Sequence, residues 1–344
     1  MKKILISGGS GFIGSYLVKR FLHERYKVLN LDKLSKVSQY LKIIDKNYSF
    51  LKCDLINSKK VLKIVSDFKP DFIINAAAES HVDRSIITPK YFFDNNLIGT
   101  INLLNASLKL KKIFFIHIST DEVFGSLKIG EKKFSETSSY DPRSPYSASK
   151  AASDHAVRAY GETFGLQYII TNCSNNYGPY QFPEKLIPVV IKNCIDRKPI
   201  PIYGSGNNIR DWIHVKDHVD AIFKIIKKSN FNETYLIGSN NEISNLKLAV
   251  KITDLFDKIY GTQKTRNLIR FVRDRKGHDF RYAINNKKIY KKIKWRPKIS
   301  FKKGLEDTIN FYIKNHKKLK KIFPYGWIKI NFPKHEAQDF IIRF

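Results

Sequence analysis

Lys3-Ile4-Leu5-Ile6-Ser7-Gly8-Gly9-Ser10-Gly11-Phe12-Ile13-Gly14 is the stretch that decides the fold of this chain. A short apolar run ends on a glycine-rich turn, and helix-period apolar residues follow from Phe12 to His23. Gly8, Gly11 and Gly14 stand three apart. Glycine permits the tight turn and lets backbone come close to a pyrophosphate. A helix opening there offers free N–H groups and the positive end of its dipole. Glycines alone are also compatible with a purely structural turn. Their place between a strand and a helix favours dinucleotide binding.

The same alternation continues outward. Lys27 to Leu31, Tyr48 to Lys52, Asp71 to Asn75, Ile113 to Ile118 and Gln167 to Thr171 read as buried strands. Ser58 to Phe68, Phe92 to Leu108 and Pro145 to Phe164 read as the helices between them. This repetition predicts an α/β fold, a Rossmann-type doubly wound parallel sheet. Prolines at 179, 183, 188, 199 and 201 break the pattern after Asn175. The expected division is a dinucleotide-binding domain from 1–174 and 209–239, and a smaller C-terminal α/β substrate domain from 175–208 and 240–344. Trp212 to Lys228 is expected to return to the first domain as a strand and a helix.

Composition narrows the function. Of 344 residues, 42% are hydrophobic and 27% charged, which suits a folded globule. No apolar run nears the roughly 20 residues of a membrane helix. Glycines 8 and 9 interrupt the opening apolar run too early for a signal peptide. Cys53, Cys173 and Cys194 are few, odd in number and widely spaced, so neither a disulfide framework nor a metal site is expected, and the cytoplasm is the expected compartment. The net charge of +31 would suit nucleic acid, but the basic residues are spread along the chain. The densest stretch, Lys314 to Lys321, has no aromatic interleaving. A solvated basic surface is the better reading, and it would also attract a diphosphate.

Asp32 ends the second predicted strand, where a carboxylate accepts hydrogen bonds from ribose hydroxyls and repels a 2′-phosphate. That favours NAD over NADP, and Lys33 beside it tempers the preference. Asp54 either meets the adenine or caps the helix near Ser58. Tyr146 and Lys150 lie one helical turn apart in Pro-Tyr-Ser-Ala-Ser-Lys and share a face. The ammonium is expected to favour the phenolate and to hold the nicotinamide ribose. Ser119-Thr120-Asp121-Glu122-Val123-Phe124-Gly125 ends the fifth strand, at the sheet edge where ligands sit. Thr120 offers a hydroxyl beside Tyr146. Asp121 and Glu122 are either an acid–base couple with pKa values pushed apart or a solvated acidic turn.

With these segments in view, the chain resembles the extended short-chain dehydrogenase/reductase superfamily, and within it the dTDP-glucose 4,6-dehydratases. The resemblance runs from Met1 to about Lys314. It rests on Gly8–Gly14, Ala76–Ser85, Ser119–Gly125, Ser144–Lys150, Asn172–Tyr180, Arg210–Trp212 and Asp274–His278. It implies an NAD-dependent lyase that turns a nucleotide-linked glucose into its 4-keto-6-deoxy form. Tyr146 would take the 4-hydroxyl proton, Glu122 the C5 proton, and protonated Asp121 would protonate the leaving 6-hydroxyl. It further implies that Phe12, Ile13, Asp32, Lys33, Asp54, Leu55, Ala76, Ala77, Ala78, Asn95, Tyr146, Lys150 and Asn176 contact NAD. Ser80, Thr120, Asn175, Lys185, Leu186, Pro201, Tyr203, Arg210, Asn245, Arg275 and His278 would line the nucleotide-sugar site. Arg210 and Arg275 are the candidates for the diphosphate; surface ion pairs are their other reading. A homodimer packed through Phe92–Leu108 and Tyr146–Phe164 is implied as well.

The chain departs from the family pattern at Phe124 for a usual tyrosine, Asn95 for a threonine and Lys276 for a proline. The segment Leu34 to Tyr40 is shorter than usual, and Pro324 to Phe344 carries no recognised motif of the family pattern. A sister 4-epimerase or decarboxylase would need the Tyr-Lys pair but not Asp121 and Glu122. A basic Rossmann protein that binds nucleic acid would need none of these side chains.

Overall fold

A computed structural model describes residues 1–319 apart from 36, 40–42 and 111. The tail from Pro324 and part of the Leu34 to Tyr40 segment therefore lie outside the described residues. Strands β1 (Lys3–Ser7), β2 (Lys27–Asp32), β3 (Tyr48–Lys52), β4 (Phe72–Asn75), β5 (Phe114–Thr120) and β6 (Gln167–Cys173) follow the predicted runs closely. Between them lie α1 (Phe12–His23), α2 (Ser58–Phe68), α3 (Val82–Ile87), α4 (Pro89–Phe93), α5 (Gly99–Ser107) and α6 (Pro145–Phe164). The chain continues through β7 (Asn175–Tyr177), α7 (Leu186–Asp196), β8 (Ile200–Tyr203), β9 (Ile209–His214), α8 (Val215–Lys228), β10 (Glu233–Ile237) and β11 (Glu242–Ser244). It ends with α9 (Asn245–Tyr260), β12 (Ile269–Val272), α10 (Lys287–Ile293) and α11 (Phe301–Asn315).

The main sheet is parallel throughout, in the order β10-β6-β5-β4-β1-β2-β3. The chain runs outward from β1 to β3, then reverses and builds from β4 to β10. The reversal between β1 and β4 opens a crevice at the carboxyl ends of the strands. Alternating side chains give the sheet two dry faces. Ile4, Ile6, Val28 and Ile116 pack under α1, α8 and α10. Leu5, Leu29, Ile73 and Phe115 pack under α2, α5 and α6. A third core joins α7, α9 and α11 around Val190, Ile252, Phe256 and Ile309.

Two expectations change. The helix read as Phe92 to Leu108 is three pieces: α4, a π-helical turn over Asp94–Ile98, and α5. The Asn96 carbonyl in that turn accepts from the hydroxyls of Thr100 (2.6 Å) and Ser153 (2.9 Å), which compete with the regular helical ladder. Its side chain meanwhile clamps Glu79 N (2.8 Å), Glu79 O (3.0 Å) and Ser149 Oγ (2.9 Å), tying the loop after β4 to α6. The second change is β9. It pairs with β7 and β11 in a separate three-stranded sheet and does not join the main one. Only α8 returns, against α1, and β10 then completes the main sheet beside β6.

Candidate active site

Two spaces among the described residues bear on the site. The smaller, about 80 Å³, is lined by Gly8, Gly11, Asp32, Lys33, Asp54, Leu55, Ala76, Ala77, Ala78 and Asn95, all among the expected cofactor contacts. Gly8 has φ +69°, and a Cβ there would lie 2.6 Å from Ala77 Cα. At Gly14 a Cβ would meet Gly8 O at 2.0 Å, so only glycine lets α1 approach the β1 turn. Helix α1 starts at Gly11 without a side-chain cap, which leaves its first N–H groups open to an anion. Phe12 and Ile13 form its first turn. The shape and donors fit the dinucleotide that the glycine loop implies.

Charge in this space is more settled than the sequence indicates. Asp32 accepts from Ser10 N (3.0 Å), Leu34 N (2.7 Å) and Ser38 Oγ (3.1 Å), although burial pushes its pKa up. Lys33 pairs with Glu79 at 3.2 Å and donates to Tyr91 OH (2.9 Å) and Asn95 Oδ1 (2.5 Å). Its charge is therefore matched by Glu79. Asp54 accepts from Ile56 N, and Asn57 caps α2 instead of it.

The larger space, about 420 Å³, is lined by Glu122, Asn175, Asn176, Lys185, Leu186, Pro201, Tyr203, Arg210, Asn245, Arg275 and His278. The expected sugar-nucleotide contacts thus converge from β7, β8, β9, the starts of α7 and α9, and the loop before α10. Asn176, expected at the cofactor, borders this larger space and bonds His218 Nδ1 at 2.9 Å. Ser80 contributes its carbonyl, which accepts from Lys185 Nζ at 2.6 Å.

Thr120 ends β5 and caps the short 3-10 turn Asp121–Phe124, accepting from Glu122 N at 3.3 Å. This turn carries Asp121 inward. Asp121 is 1% exposed, and its Oδ2 has no hydrogen-bond partner. Burial first, then the charges of Glu122 and Asp211, hold its pKa well above the ordinary 3.8, against the pull of Arg210. Glu122 is also raised by burial, but Arg275, Lys185 and Arg210 restrain it. The solvated-turn reading is therefore excluded for Asp121, and the two acids occupy unequal environments.

Tyr146 opens α6 behind a Ser144–Ser147 capping box, with Pro145 in the first turn. It hydrogen-bonds Thr120, feels both carboxylates, and stacks edge-on with Phe92 at 6.5 Å. The expectation that Lys150 lowers the phenol's pKa is corrected here. Burial, then Glu122, pushes Tyr146 well above its ordinary value. The Lys150 amine bonds Ile118 O at 2.8 Å and meets His117 Nε2 at 3.2 Å. Arg210 also differs from its expected part. Its guanidinium donates to the carbonyls of Ile209, Phe280 and Asp279 and lies 4.1 Å above the Tyr282 ring. Most of the fork is thereby held by the fold. Arg275 keeps a buried Nε without a hydrogen-bond partner, 3.9 Å from Asp83.

A family description, GDP-mannose 4,6 dehydratase, matches residues 5–308. The dTDP-glucose 4,6-dehydratase 1 of Escherichia coli strain K12 is 42% identical over 96% of this chain and 99% of its own. That of Neisseria meningitidis serogroup B is 43% identical over 92% of this chain and 94% of its own. The chain belongs to the dTDP-glucose 4,6-dehydratase family. A solved member from Streptomyces venezuelae, with NAD and dTDP bound, superposes with a TM-score of 0.86 at 37% identity, covering 92% of this chain and 98% of that one. A member from Bacillus anthracis in complex with NAD gives 0.82 at 40% identity, with coverage of 92% and 98%. The UDP-glucose 4-epimerase of Thermotoga maritima reaches the same TM-score, 0.82, at only 27% identity, covering 91% of this chain and 99% of its own. The dehydratases are thus the nearer relatives in sequence, and the epimerase shares the fold.

Several dehydratase-site residues had no role assigned from sequence. His81, Asp83, Gln181, Glu184 and Tyr282 also border the larger space. His81 and Asp83 stand in the quoted Ala76–Ser85 stretch, which could have flagged them. Tyr282 carries no local signal, because it reaches the site through its stack on Arg210.

Proposed function

We propose that this chain dehydrates dTDP-glucose to the 4-keto-6-deoxy sugar with bound NAD. Asp121 carries the reading: a buried carboxyl whose surroundings favour its neutral form, beside a less perturbed carboxylate and a tyrosine. Bound NAD would accept hydride from C4 and return it at C6. Tyr146, as the phenolate that the positive charge of bound NAD and a charged Lys150 would favour against its burial, removes the 4-hydroxyl proton, with the Thr120 hydroxyl bonded to it. The resulting ketone acidifies C5, and Glu122 takes that proton. Asp121 protonates the leaving 6-hydroxyl, so water departs across C5–C6, and as C6 receives the hydride Glu122 gives its proton back to C5. Such general acid–base help is worth roughly 10²–10⁴ in rate. An epimerase or decarboxylase would have no use for an acid kept neutral at this position.

Asp32 and the Lys33–Glu79 pair support NAD over NADP, since Lys33 is already matched and Asp32 would repel a 2′-phosphate. Arg275 and Lys185 line the larger space and suit a diphosphate there, and Arg210 acts more on the acids than on phosphate. We read residues 1–174 and 209–239 as the cofactor domain with β9 lent to the sugar side, and the rest as the substrate domain. Homodimer formation fits the exposed Tyr91, Ile98 and Phe164 along α4, the π turn and α6. Three free, buried cysteines suit the reducing cytoplasm. No helix among the described residues is long and apolar enough to cross a membrane.

Incubation with dTDP-glucose, UDP-glucose and GDP-mannose separately, followed by mass analysis, tests the reading. Loss of one water from dTDP-glucose is expected. An unchanged mass with all three sugars would overturn it.

A further inference from the structure

Beneath the floor of the active site lies a buried polar cluster that the chemistry above leaves unused. His117 on β5 and Asp154 on α6 have no solvent exposure. His117 Nε2 is 3.2 Å from Lys150 Nζ and 3.4 Å from Asp154 Oδ1. Its Nδ1 is 3.2 Å from Asn75 Nδ2 on β4. The Asp154 Oδ2 accepts from Ser119 (2.9 Å), Tyr140 (2.8 Å) and Asn172 (3.0 Å), while Oδ1 has no hydrogen-bond partner.

The hydrogen bonds fix the tautomer. The Thr100 hydroxyl donates to Asn96 O at 2.6 Å, so it can only accept from Asn75, which places the Asn75 amide nitrogen at 2.8 Å from it. Ser7 Oγ donates to Asn75 Oδ1 at 2.7 Å and agrees with that orientation. The same amide nitrogen then donates to His117 Nδ1, so the ring proton sits on Nε2. An Nε2–H faces Lys150 Nζ as a second donor when the lysine is an ammonium. It becomes a good hydrogen bond only to the lone pair of a neutral amine. Asp154 Oδ1 is the alternative acceptor while Lys150 is charged.

We propose that His117, with its tautomer fixed by Asn75, is a positioning residue that sets the protonation state of Lys150, with Asp154 as the opposing weight. The inference rests on the dehydratase reading only for its effect on turnover. The charged and titratable groups around Lys150 are His117 from β5, Asp154 from α6 and Cys173 from β6, with Tyr146 on its own helix; Arg158 and Tyr140 act through Asp154 and His117. Lys150 is lowered to about 8, by burial first, against the attraction of Asp154, and His117 is held neutral by burial and by the Lys150 charge. An amine poised near the working pH passes between its forms readily, which suits a group beside a tyrosine that must gain and lose a proton in each turnover.

The test is the titration of Lys150 in full-length protein carrying ¹³C,¹⁵N-lysine, with the His117 tautomer read from long-range ¹⁵N spectra. His117→Asn keeps the acceptor for Asn75 and removes the Nε2–H. It should move the Lys150 midpoint upward by about one pH unit. His117→Gln restores an N–H near Nε2 and should return it toward the parent. Asp154→Asn removes the opposing charge and should move it downward. The pH profile of C4 oxidation of dTDP-glucose should shift with each midpoint. A packing role alone would lower stability in all three without opposed shifts. An Nδ1–H tautomer, or a midpoint in His117→Asn equal to the parent's, overturns the proposal. If His117→Asn does not fold, the tautomer and the paired shifts of His117→Gln and Asp154→Asn decide. If the lysine shifts occur and dTDP-glucose is not dehydrated, the functional reading fails and this one stands.

Discussion

The glycine loop follows β1 and the catalytic edge follows β5 of the same sheet, with β4 between them, yet they are built by different means. Around Gly8–Gly14 the work is done by backbone: a positive φ, a close helix approach and an uncapped helix start. At Thr120–Glu122 and Tyr146 it is done by side chains whose charge states depend on what buries them. A backbone device is written locally in the sequence. A buried charge balance is written in four or more distant segments at once. The comparison therefore says where substitutions act on binding geometry and where they act on protonation.

The sharpest way to break it is Asp121→Asn. If the edge works by a carboxyl held neutral, water loss should fall about 10³-fold. Oxidation at C4, seen as transient NADH in a single turnover, should persist. Stability gives an independent reading. The folded-state pKa of Asp121 lies above its ordinary 3.8, so the parent loses stability as pH rises through that range. The asparagine variant should therefore be more stable than the parent near pH 7 and equal to it below about pH 4. A denaturation series with pH measures this. Equal stability at both pH values would mean that Asp121 is not held out of its ionised form.

Tyr146→Phe probes the same edge with a smaller effect. Removing the phenol oxygen should slow C4 oxidation about 10²-fold and leave the dTDP affinity within a few fold. Rapid mixing with dTDP-glucose reads the NADH transient. If the transient is unchanged, another group takes the 4-hydroxyl proton. On the loop side, Gly14→Ala brings a methyl group to 2.0 Å from Gly8 O. The helix must shift, and the strain of about 1–3 kcal/mol should weaken NAD binding by roughly tenfold to a hundredfold. Calorimetric titration of cofactor-stripped protein measures it, and an unweakened Kd would show that the loop does not hold the cofactor.

What was legible follows the same divide. The six strands from β1 to β6 and the glycine loop follow from apolar periodicity and glycine spacing, both local signals, while Leu55, Ala76, Ala77, Ala78 and Asn95 at the smaller space came from the family resemblance. The π turn escaped because it depends on Thr100 and Ser153 hydroxyls meeting one carbonyl, and Ser153 is on another helix. The pairing of β9 escaped because β7 and β11, its partners, are three residues each, too short to show alternation. Arg210 was legible as a site residue and misread in its part. Nothing in Arg-Asp-Trp reveals that three carbonyls, two of them beyond residue 278, hold its fork. Lys150 was placed correctly on the face of Tyr146, but its partners His117 and Ile118 come from β5.

The two regions are also joined, and the joint yields the mildest prediction. Lys33 at the cofactor space pairs with Glu79, whose other oxygen is 3.8 Å from Arg84, which grips Glu184 at the rim of the larger space at 2.5 and 3.3 Å. Arg84 serves as a planar fork on Glu184. Arg84→Lys keeps the charge and loses the fork, so the segment beside Lys185 is held less firmly. A partly exposed pair of this kind contributes modestly. The KM for dTDP-glucose should rise roughly threefold with kcat nearly unchanged. Steady-state kinetics at two ionic strengths would show it, and a fall in kcat instead would mean that the chain of charges reaches the acids and not only the rim.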